Sequence, residues 1–400
     1  MQTQPLWLWN YSLTVALALL IPFNLIASLG MDIYLPVVPA MPSILSTSPS
    51  IIQLTLTLYM VMLGVGQVVF GPISDRIGRR PVLLIGAILF ALSSFGLGTA
   101  STAAPFVALR GVQALGASAM LVAIFATIRD VYADKPESGT IYSLMNAMLS
   151  FVPALGPIIG ALVVDAFGWR WIFHLLGIAA LILAAVILPK WQETRTGRTE
   201  SSNLTTLDIL RSRAFWAYTF AFGTAMGAFF VFFSTAPRLL IERAGYSEFN
   251  FSLAFSTVAV VMIGVARFAA RFVDRWGVRG SACRGLLVML AGALLLLLGG
   301  LVLSPSLLSF IMPMWVVAVE IVMIGSVTAN AALAEFGEIA GMAVALHFCV
   351  QSLIVGVVGT VFVVMLGGDT ALPLIFYIAI MASVSFVWVR AAGKRCASVY

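Results

Sequence analysis

The chain has 400 residues, of which 61% are hydrophobic and 10% are charged, and its formal net charge is +6. A soluble domain carries about a quarter of its residues as charged side chains, so this composition excludes a soluble enzyme and indicates a protein that lies in a lipid bilayer. The positive charge does not indicate a nucleic-acid partner, because the basic residues occupy a few short loops between apolar stretches. Three cysteines without paired spacing predict neither a disulfide framework nor a metal site.

Twelve apolar stretches follow one another along the chain, each near the roughly 20 residues that a membrane-spanning helix needs. They cover about residues 12–36, 51–72, 82–101, 105–128, 139–164, 170–189, 214–238, 250–272, 282–303, 308–332, 340–366 and 371–390. No basic residue precedes the first stretch and no cleavage site follows it, so we interpret it as a retained helix and not as a signal peptide. The predicted fold class is an all-α membrane protein with twelve transmembrane helices.

A polar interval divides these stretches into two groups of six. We predict an N-terminal six-helix bundle at residues 1–191, a cytoplasmic linker at 192–213 and a C-terminal six-helix bundle at 214–400. The pattern Asp-Arg-x-Gly occurs at Asp75 and again at Asp274, after the second helix of each group, which predicts a duplicated transporter with the substrate path between its halves. Lys and Arg concentrate in alternate loops, and the positive-inside rule therefore places both termini and these loops in the cytoplasm.

The loop after the second stretch reads Gly71-Pro72-Ile73-Ser74-Asp75-Arg76-Ile77-Gly78-Arg79-Arg80-Pro81. Its form, Gly-x-x-x-Asp-Arg-x-Gly-Arg-Arg, resembles the signature loop between helices two and three of the Major Facilitator Superfamily. We expect Gly71 to permit close helix contact, and the resemblance implies that Asp75 pairs with the opposite half and holds an inner gate closed. The candidate gating residues of this loop are Gly71, Asp75, Arg76, Gly78, Arg79 and Arg80. A basic turn that only fixes topology is the alternative, above all for Arg79 and Arg80.

Two further motifs lie on the fourth and fifth stretches. The run Arg110-Gly111-Val112-Gln113-Ala114-Leu115-Gly116-Ala117 resembles the superfamily motif Arg-x-x-Gln-Gly-x-Gly-Ala, with an alanine in place of the first glycine. The run Pro153-Ala154-Leu155-Gly156-Pro157-Ile158-Ile159-Gly160 resembles the antiporter motif of the drug/proton branch. Its prolines each remove a backbone donor, and its glycines form a face for close packing. Its candidate gating residues are Pro153, Gly156, Pro157 and Gly160; a kinked, tightly packed helix of any transporter is the alternative.

Together with that loop, the stretches Ala27–Pro36 and Phe229–Pro237 make the chain similar to the Bcr/CflA group of drug/proton antiporters, and within it to the chloramphenicol and florfenicol exporters. The resemblance implies efflux of these drugs from the bacterial cytoplasm across the inner membrane, driven by inward proton flow, and hence antibiotic resistance. It implies no cofactor beyond the proton gradient. We expect a monomer in the bilayer whose partners are a small amphiphilic drug and protons.

Three ionisable residues within the predicted helices are candidates for proton coupling, since a charge in mid-membrane costs about 2.5–3.5 kcal/mol. Asp32 lies near the outer end of helix one, and Arg110 lies at a similar depth on helix four. We hypothesise that they pair, that Asp32 takes up and releases the transported proton, and that proton and substrate compete for this region. A static ion pair is the alternative. Glu320 on helix ten is a second proton site if it faces the cavity, and must be protonated or reach the interface if it faces lipid.

Candidate substrate contacts combine these charges with amides, hydroxyls, methionines and aromatic rings, which suits amphiphilic molecules better than sugars or phosphorylated solutes. Asn24 departs from drug exporters of this type, which often carry an acid there, and it can still bond a neutral polar drug. On helix seven, Phe229 and Phe233 repeat at helical spacing. The full candidate set is Asn24, Ser28, Met31, Asp32, Tyr59, Arg110, Met145, Asn146, Phe229 and Phe233.

A broad multidrug antiporter and a proton-coupled importer of small solutes are alternative functions, although the helix-five motif speaks against an importer. The sequence shows no nucleophile–histidine pair, paired carboxylates, metal cluster or nucleotide loop that would indicate an intramembrane enzyme, and we predict that the protein is not one. A scaffold or receptor would not need matched Asp and Arg side chains in mid-membrane.

Overall fold

The structure is a computed structural model that describes residues 9, 11–132, 135, 137–195 and 205–392. Within these ranges it does not describe the side chains at positions 138, 139, 142, 143, 146–150, 338 and 392. The candidate Asn146 and residues 196–204 of the predicted linker therefore lie outside the described part. Where the structure describes the chain, its regular elements are helices and not strands.

Each of the twelve predicted stretches lies on a long helix. In chain order these helices are α1 (Leu13–Asp32), α2 (Pro49–Ile77), α3 (Arg79–Thr99), α4 (Ala103–Tyr132), α5 (Ser138–Phe167), α6 (Arg170–Ile187), α7 (Arg213–Pro237), α8 (Glu248–Ala266), α9 (Ala269–Val302), α10 (Met312–Leu333), α11 (Ala340–Leu366) and α12 (Leu372–Ala392). Eleven of these described helices are long and apolar enough to cross a membrane, and α5 adds the apolar segment Phe151–Phe167. The predicted fold class, twelve transmembrane helices, is confirmed.

Apolar side chains cover the outer surface of the bundle. Leu92, Leu162 and Val302 expose 62%, 54% and 78% of their surface, which a lipid environment tolerates because lipid tails are as apolar as leucine. Small residues inside let helices touch backbone to backbone. A Cβ added at Gly116 of α4 would lie 2.7 Å from the carbonyl oxygen of Gly86 on α3.

Backbone geometry repeats between the two halves of the chain. Among the described residues, those with positive φ form three pairs whose members lie 199 positions apart: Ser46 with Gly245, Gly78 with Gly277, and Gly168 with Gly367. The members of each pair occupy equivalent places in the two halves. One pair precedes the second helix, and one follows the fifth. In the remaining pair, Gly78 separates α2 from α3, and Gly277 marks a kink inside α9. Residues with a side chain rarely adopt this conformation, so three coincident pairs are what duplication of a six-helix unit produces.

The halves meet through two pairs of helices. We call the end of the bundle where α6 ends and α7 begins the linker end, and the opposite end the far end. α2 packs on α11, and α5 packs on α8. In the repeat α8 is the equivalent of α2, and α11 is the equivalent of α5, so the two contacts are copies of each other related by the duplication.

Candidate functional site

Arg110 is a buried cation on α4. Its side chain has no exposed surface, and its guanidinium carbon lies 5.1 Å from the ring centre of Tyr34 and 4.5 Å from that of Tyr59. A desolvated cation–π contact of this kind contributes about 2 kcal/mol. Nη1 donates hydrogen bonds of 2.7 Å to the Gly30 carbonyl and to Gln113 Oε1. Nε and Nη2 are buried and have no hydrogen-bond partner among the described residues, so the hydrogen-bonding capacity of the guanidinium is only partly used in this conformation.

Gln113 holds the guanidinium in place. While its Oε1 accepts from Arg110, its Nε2 donates to Ser94 Oγ at 2.8 Å, and Ser94 donates to the Phe90 carbonyl at 2.6 Å. Every link has a fixed donor and a fixed acceptor, so the amide cannot rotate without losing both bonds. The Arg-x-x-Gln spacing of the sequence thus produces a hydrogen-bonded chain that runs from α4 to α3.

The predicted ion pair between Asp32 and Arg110 is wrong. In the part of the chain that the structure describes, Asp32 forms neither a salt bridge nor a hydrogen bond. Gly30 and Asp32 are two residues apart, which corresponds to a rotation of about 200° around the helix axis. Since α1 presents Gly30 to Arg110, Asp32 faces the other way, toward α5. A Cβ added at Gly156 would lie 2.8 Å from the Cβ of Asp32. Asp32 therefore packs against the glycine- and proline-rich motif of α5.

Tyr59 lies between the two charges that do not pair. Its hydroxyl donates to the Ala27 carbonyl at 2.8 Å, and the side chain interacts electrostatically with both Arg110 and Asp32. A Cβ added at Gly30 would lie 2.5 Å from the Tyr59 hydroxyl oxygen. The absence of a side chain at Gly30 is therefore what lets Tyr59 reach its position beneath the guanidinium.

The remaining candidates on α1 share the side of Asp32. Asn24, Ser28 and Asp32 stand at four-residue intervals and so form one stripe along the helix. Asn24 and Met31 are buried, and Ser28 is half-buried. The structure thus places four predicted residues along one stripe and its border, on the helix that also holds Gly30.

On α5 the glycines of the motif make the close contact with α1. The helix continues through Pro153 and Pro157 without interruption. A Cβ at Gly160 would overlap the carbonyl of Ile33, the residue that follows α1, just as one at Gly156 would press on Asp32. Met145, nearer the linker end, is also buried. The predicted packing role of the glycines is observed, and its partner is α1.

Phe229 and Phe233 belong to a cluster of rings on α7 and α8. Their ring centres lie 6.2 Å and 5.9 Å from that of Phe255, and Phe233 is almost fully buried. Phe232 stacks on the same ring at 5.0 Å. The rings that flank the Arg110 guanidinium are those of Tyr34 and Tyr59, so the two phenylalanines form a separate apolar surface next to the α5–α8 contact.

Glu320 on α10 faces the interior of the second half and not lipid. Its side chain has no exposed surface, and neither carboxylate oxygen has a hydrogen-bond partner among the described residues. No group of three or more His, Cys, Asp or Glu that could hold a metal ion occurs in the described ranges. Of the two orientations considered from the sequence, the lipid-facing one is excluded.

At the linker end, Arg79 is the centre of an ion-pair network. Its Nη1 lies 2.6 Å from Asp75 Oδ1, and its Nε lies 2.8 Å from Asp130 Oδ2. The Arg129 guanidinium completes the network, 3.8 Å from Asp75 and 3.7 Å from Asp130. Arg79 is buried, and removing one partner of a buried pair is strongly destabilising. Arg79 is therefore more than a charge that sets topology.

The expected partner of Asp75 in the opposite half is replaced by these two arginines of its own half. The network still reaches the second half indirectly, because a Cβ added at Gly341, where α11 begins, would meet the Arg129 guanidinium. Arg129 thus lies between the Asp75 carboxylate and the first turn of α11. The gate at this end stays a prediction; the residue that lies between the two halves here is Arg129, an arginine that the motif does not contain.

Glu193, which follows α6, caps the helix that the signature loop begins. Its carboxylate accepts hydrogen bonds from the backbone N–H of Arg79 at 2.8 Å and of Arg80 at 3.1 Å. Carboxylates at a helix N-terminus satisfy unpaired N–H groups and oppose the helix dipole. Gly78 has φ of 106°, and a Cβ there would also overlap the Glu193 carboxylate, so this position requires glycine twice over.

The remaining residues of the signature loop have simpler surroundings. The expected close helix contact at Gly71 is wrong, because a Cβ there would find no atom within 4 Å; α2 has already moved away from its neighbours at that level. Arg80 donates to the Leu188 carbonyl at 2.6 Å, and the Arg76 carbonyl accepts from Arg195 at 2.5 Å. Both bonds fasten the segment after α6 to the loop.

Two sets of hydrogen bonds join the halves toward the far end, and we call them clasps. In the first clasp, Gln53 of α2 donates to Ser234 at 3.0 Å and to Thr360 at 3.5 Å, and Thr57 bonds to Thr360. In the second clasp, the hydroxyls of α8 donate to carbonyls of α5. The donors are Ser252, 3.0 Å from the Pro157 carbonyl, and Ser256, bonded to the Ala154 carbonyl.

The clasps obey the repeat. Gln53 and Ser252 lie 199 positions apart, and so do Thr57 and Ser256. Sequence reasoning missed all four of these residues, together with Glu193. Single hydroxyls and amides in apolar helices have no spacing that reveals a partner on another helix, although the 199-residue offset between polar positions was a signal that could have been read.

The geometry is that of a twelve-helix membrane protein built from two related bundles, the first of which encloses a buried cation. The family model of the Major Facilitator Superfamily matches residues 20–360. The chain therefore belongs to this family.

Relatives and solved structures agree with this assignment. The chain is 45% identical to the chloramphenicol resistance protein of Pseudomonas aeruginosa over 94% of this chain and 90% of that protein. It is 30% identical to the uncharacterized MFS-type transporter YdgK of Bacillus subtilis (strain 168), over 92% and 94%.

Among solved structures, the fold matches a bacterial homolog of the human lysosomal transporter Spinster in an inward-facing and occupied conformation, with a TM-score of 0.75 and 12% identity over 95% of this chain and 96% of that one. It also matches the xylose transporter XylE from E. coli in a partially occluded inward open conformation, with a TM-score of 0.75 and 16% identity over 95% and 99%. At this identity the match concerns the fold alone.

Proposed function

We propose that the protein exports drugs of the chloramphenicol and florfenicol type from the bacterial cytoplasm in exchange for protons, and so confers resistance. The Pseudomonas aeruginosa relative supports the substrate class, since 45% identity extends over nearly the whole of both chains. The structural observation that carries the proposal is the Arg110 site. It offers a desolvated cation with two unpartnered nitrogen atoms, Nε and Nη2, between two tyrosine rings.

This site fits the chemistry of a phenicol. Such a drug is uncharged, with an aromatic ring, a nitro or sulfonyl group and an amide, so it offers oxygen acceptors next to a flat apolar surface. Guanidinium donors bind oxygen acceptors strongly when water is excluded, and tyrosine faces pack on rings. A sugar would need more polar side chains than this site has, and a phosphorylated solute would need more than one cation.

Asp32 carries the proton in this proposal. The residue is 8% exposed, and its carboxylate has no ion-pair partner within the described residues, so uptake of a proton removes an uncompensated charge from the membrane interior. Because Asp32 packs on α5 and Arg110 does not neutralise it, coupling does not consist of breaking an Asp32–Arg110 pair. It acts through Tyr59, which interacts with both charges, and through movement of α1 against α5.

The charges at the linker end support an orientation of the protein in the membrane. Arg76, Arg79, Arg80, Arg129 and Arg195 lie there, and the positive-inside rule places this end in the cytoplasm. The far end, with its two clasps, then faces the periplasm. Closing and opening the two ends in turn moves the drug outward and the proton inward.

Inverted membrane vesicles test the proposal. After respiration has acidified the lumen, addition of chloramphenicol should raise the luminal pH in a saturable manner, because the drug enters as protons leave. Asp32→Asn should abolish this response, and Arg110→Lys should reduce it at least tenfold. Asp208→Asn removes an exposed acid from the short linker helix Thr206–Arg211 and should leave it unchanged. A drug response without a proton response, or a full proton response in Asp32→Asn, would refute the mechanism.

A broad multidrug antiporter is the second candidate, favoured by 28% identity over 59% of this chain to the multidrug resistance protein MdtL of Escherichia coli. The same vesicles distinguish the two. Under the phenicol proposal a cationic dye neither collapses the proton gradient nor slows the chloramphenicol response, whereas a multidrug antiporter would do both. Uptake in place of release by intact cells would instead indicate an importer.

A further inference from the structure

Glu320 is the buried acid of the second half, and the proposed transport cycle does not use it. It lies eight residues after the start of α10, about 12 Å along the helix. Its side chain has no exposed surface, and both carboxylate oxygens are without a hydrogen-bond partner in the part of the chain that is described. An ionised carboxylate that has neither hydrogen-bond donors nor a cation beside it carries a large free-energy cost in the interior of a membrane protein.

The helices that pack on α10 bring no cation to this depth. α7 has titratable groups only near the linker end, and α8 only at its first residue; the nearest to Glu320 along these helices are Tyr218 and Glu248. α9 and α11 have them only in their linker-end halves, where the last are Arg284 on α9 and His347 with Cys349 on α11. Tyr377 of α12 is the titratable group that interacts with Glu320. Its hydroxyl donates to the Gly223 carbonyl at 3.3 Å, so its proton is already engaged.

Glu320 is closed off in this conformation, because its side chain has no exposed surface. α7 also approaches Tyr377 of α12 so closely that a Cβ at Gly227 would fall on the Tyr377 hydroxyl. One carboxylate without further oxygen ligands does not hold a metal ion. We infer that Glu320 is a second proton-binding site, distinct from Asp32, which is protonated in the packed conformation described here and exchanges its proton when the halves move apart.

The movement reaches Glu320 because two of the helices that pack on α10, α7 and α8, also carry clasp residues. α7 packs on α10 and holds Ser234, the partner of Gln53. On α8, Thr257 Oγ1 accepts a 2.9 Å hydrogen bond from the indole N–H of Trp315 on α10. The same helix carries Ser252 of the second clasp. Opening the far end therefore shifts the two walls of the Glu320 pocket. The inference rests on the proposed function only in assuming that the halves alternate.

Infrared spectroscopy of the purified protein in lipid tests this site without any drug. A protonated carboxyl has a C=O stretching band separate from that of a carboxylate. In an Asp32→Asn background at neutral pH, one such band should be present and should disappear in Glu320→Gln. Glu335→Gln is the matched control, because Glu335 is an exposed acid at the end of the same helix, and it should leave the band unchanged. A spectrum without a band that depends on Glu320 would overturn the inference.

Exchange into heavy water tests whether that proton moves. The Glu320 band should shift slowly in the parent protein and at least fivefold faster in a Gln53→Leu/Ser252→Ala variant, in which both clasps are weakened. An exchange rate that the clasp variant does not alter would show a static buried acid and overturn the coupling to movement. If the infrared and exchange results are as expected and the vesicle assay fails, the drug assignment is wrong and the proton site at Glu320 stands. If the vesicle assay succeeds and the Glu320 band is absent, the proton site is wrong and the drug assignment stands.

Discussion

The two clasps should contribute equally to closing the far end, since they occupy equivalent positions in the two halves. Gln53→Leu removes the 3.0 Å bond to Ser234, and Ser252→Ala removes the 3.0 Å bond to the Pro157 carbonyl. A hydrogen bond between membrane helices, or a neutral one inside a protein, contributes about 0.6–1 kcal/mol. Each substitution should therefore raise the ratio of open to closed far ends roughly threefold to fivefold.

The double variant supplies the sharper number. The two clasps share no residue, and effects at independent sites add. Together the substitutions should shift the equilibrium by about 1.2–2 kcal/mol, which is roughly eightfold to thirtyfold. We expect the two free-energy effects to add, because the clasps lie on opposite sides of the bundle and both oppose the same rigid movement of the halves.

Thiol accessibility measures this equilibrium. In a background without native cysteines, Ala154→Cys places a reporter on α5 at the second clasp, where the side chain is 6% exposed in the closed arrangement. A membrane-impermeant thiol reagent added to intact cells should label it in proportion to the open population. Ser93→Ala is the matched control, because the Ser93 hydroxyl bonds only within its own helix.

Two results would refute this reasoning. The first is a double variant that labels no faster than either single variant, which would mean that one clasp alone determines closure. The second is a Ser93→Ala control that labels as fast as Ser252→Ala, which would mean that any lost hydroxyl loosens the bundle.

Three further predictions concern single positions. Gly30→Ala should lower chloramphenicol export at least tenfold at unchanged protein level, because the new Cβ displaces the Tyr59 hydroxyl, whereas Gly71→Ala, which meets open space, should export normally. Glu193→Ala should lower the free energy of unfolding by about 1–3 kcal/mol, since the first N–H groups of α3 lose their acceptor; a thermal melt that does not move would contradict this. Arg110→Lys should bind chloramphenicol at least tenfold more weakly in equilibrium titration, because an ammonium cannot keep the planar fork or its stacking, and equal affinity would disprove the site.

Helix existence was predictable because length and hydropathy alone decide it. A stretch of about 20 apolar residues in lipid must satisfy its own backbone, and every predicted stretch lies on a helix. The pairing of Asp32 with Arg110 was not predictable in the same way. Depth along two helices follows from counting residues, but the direction of a side chain depends on rotation about each helix axis, and a shift of two residues turned Asp32 to α5.

Contacts between helices account for the other differences. Gly78 and Gly156 were recognised from motifs, and each proved to have a side chain packed against it, Glu193 and Asp32 respectively. Neither partner could be named from the motif, because both lie far away along the chain. At Gly71 the motif predicted a close helix contact that the structure does not have. A small residue permits two helices to approach closely but does not make them do so.

The 199-residue repeat has a consequence for how a molecule lies in the central path. The position equivalent to Tyr34 is Phe233, and the position equivalent to Arg110 is Ser309. Under the proposed function, a bound molecule therefore meets two walls of unlike chemistry, one with a guanidinium and a phenol, the other with a phenyl ring and an uncharged hydroxyl. Its oxygen-rich end has a single preferred wall, so an elongated amphiphile travels through the pseudo-symmetric passage in one orientation and not two.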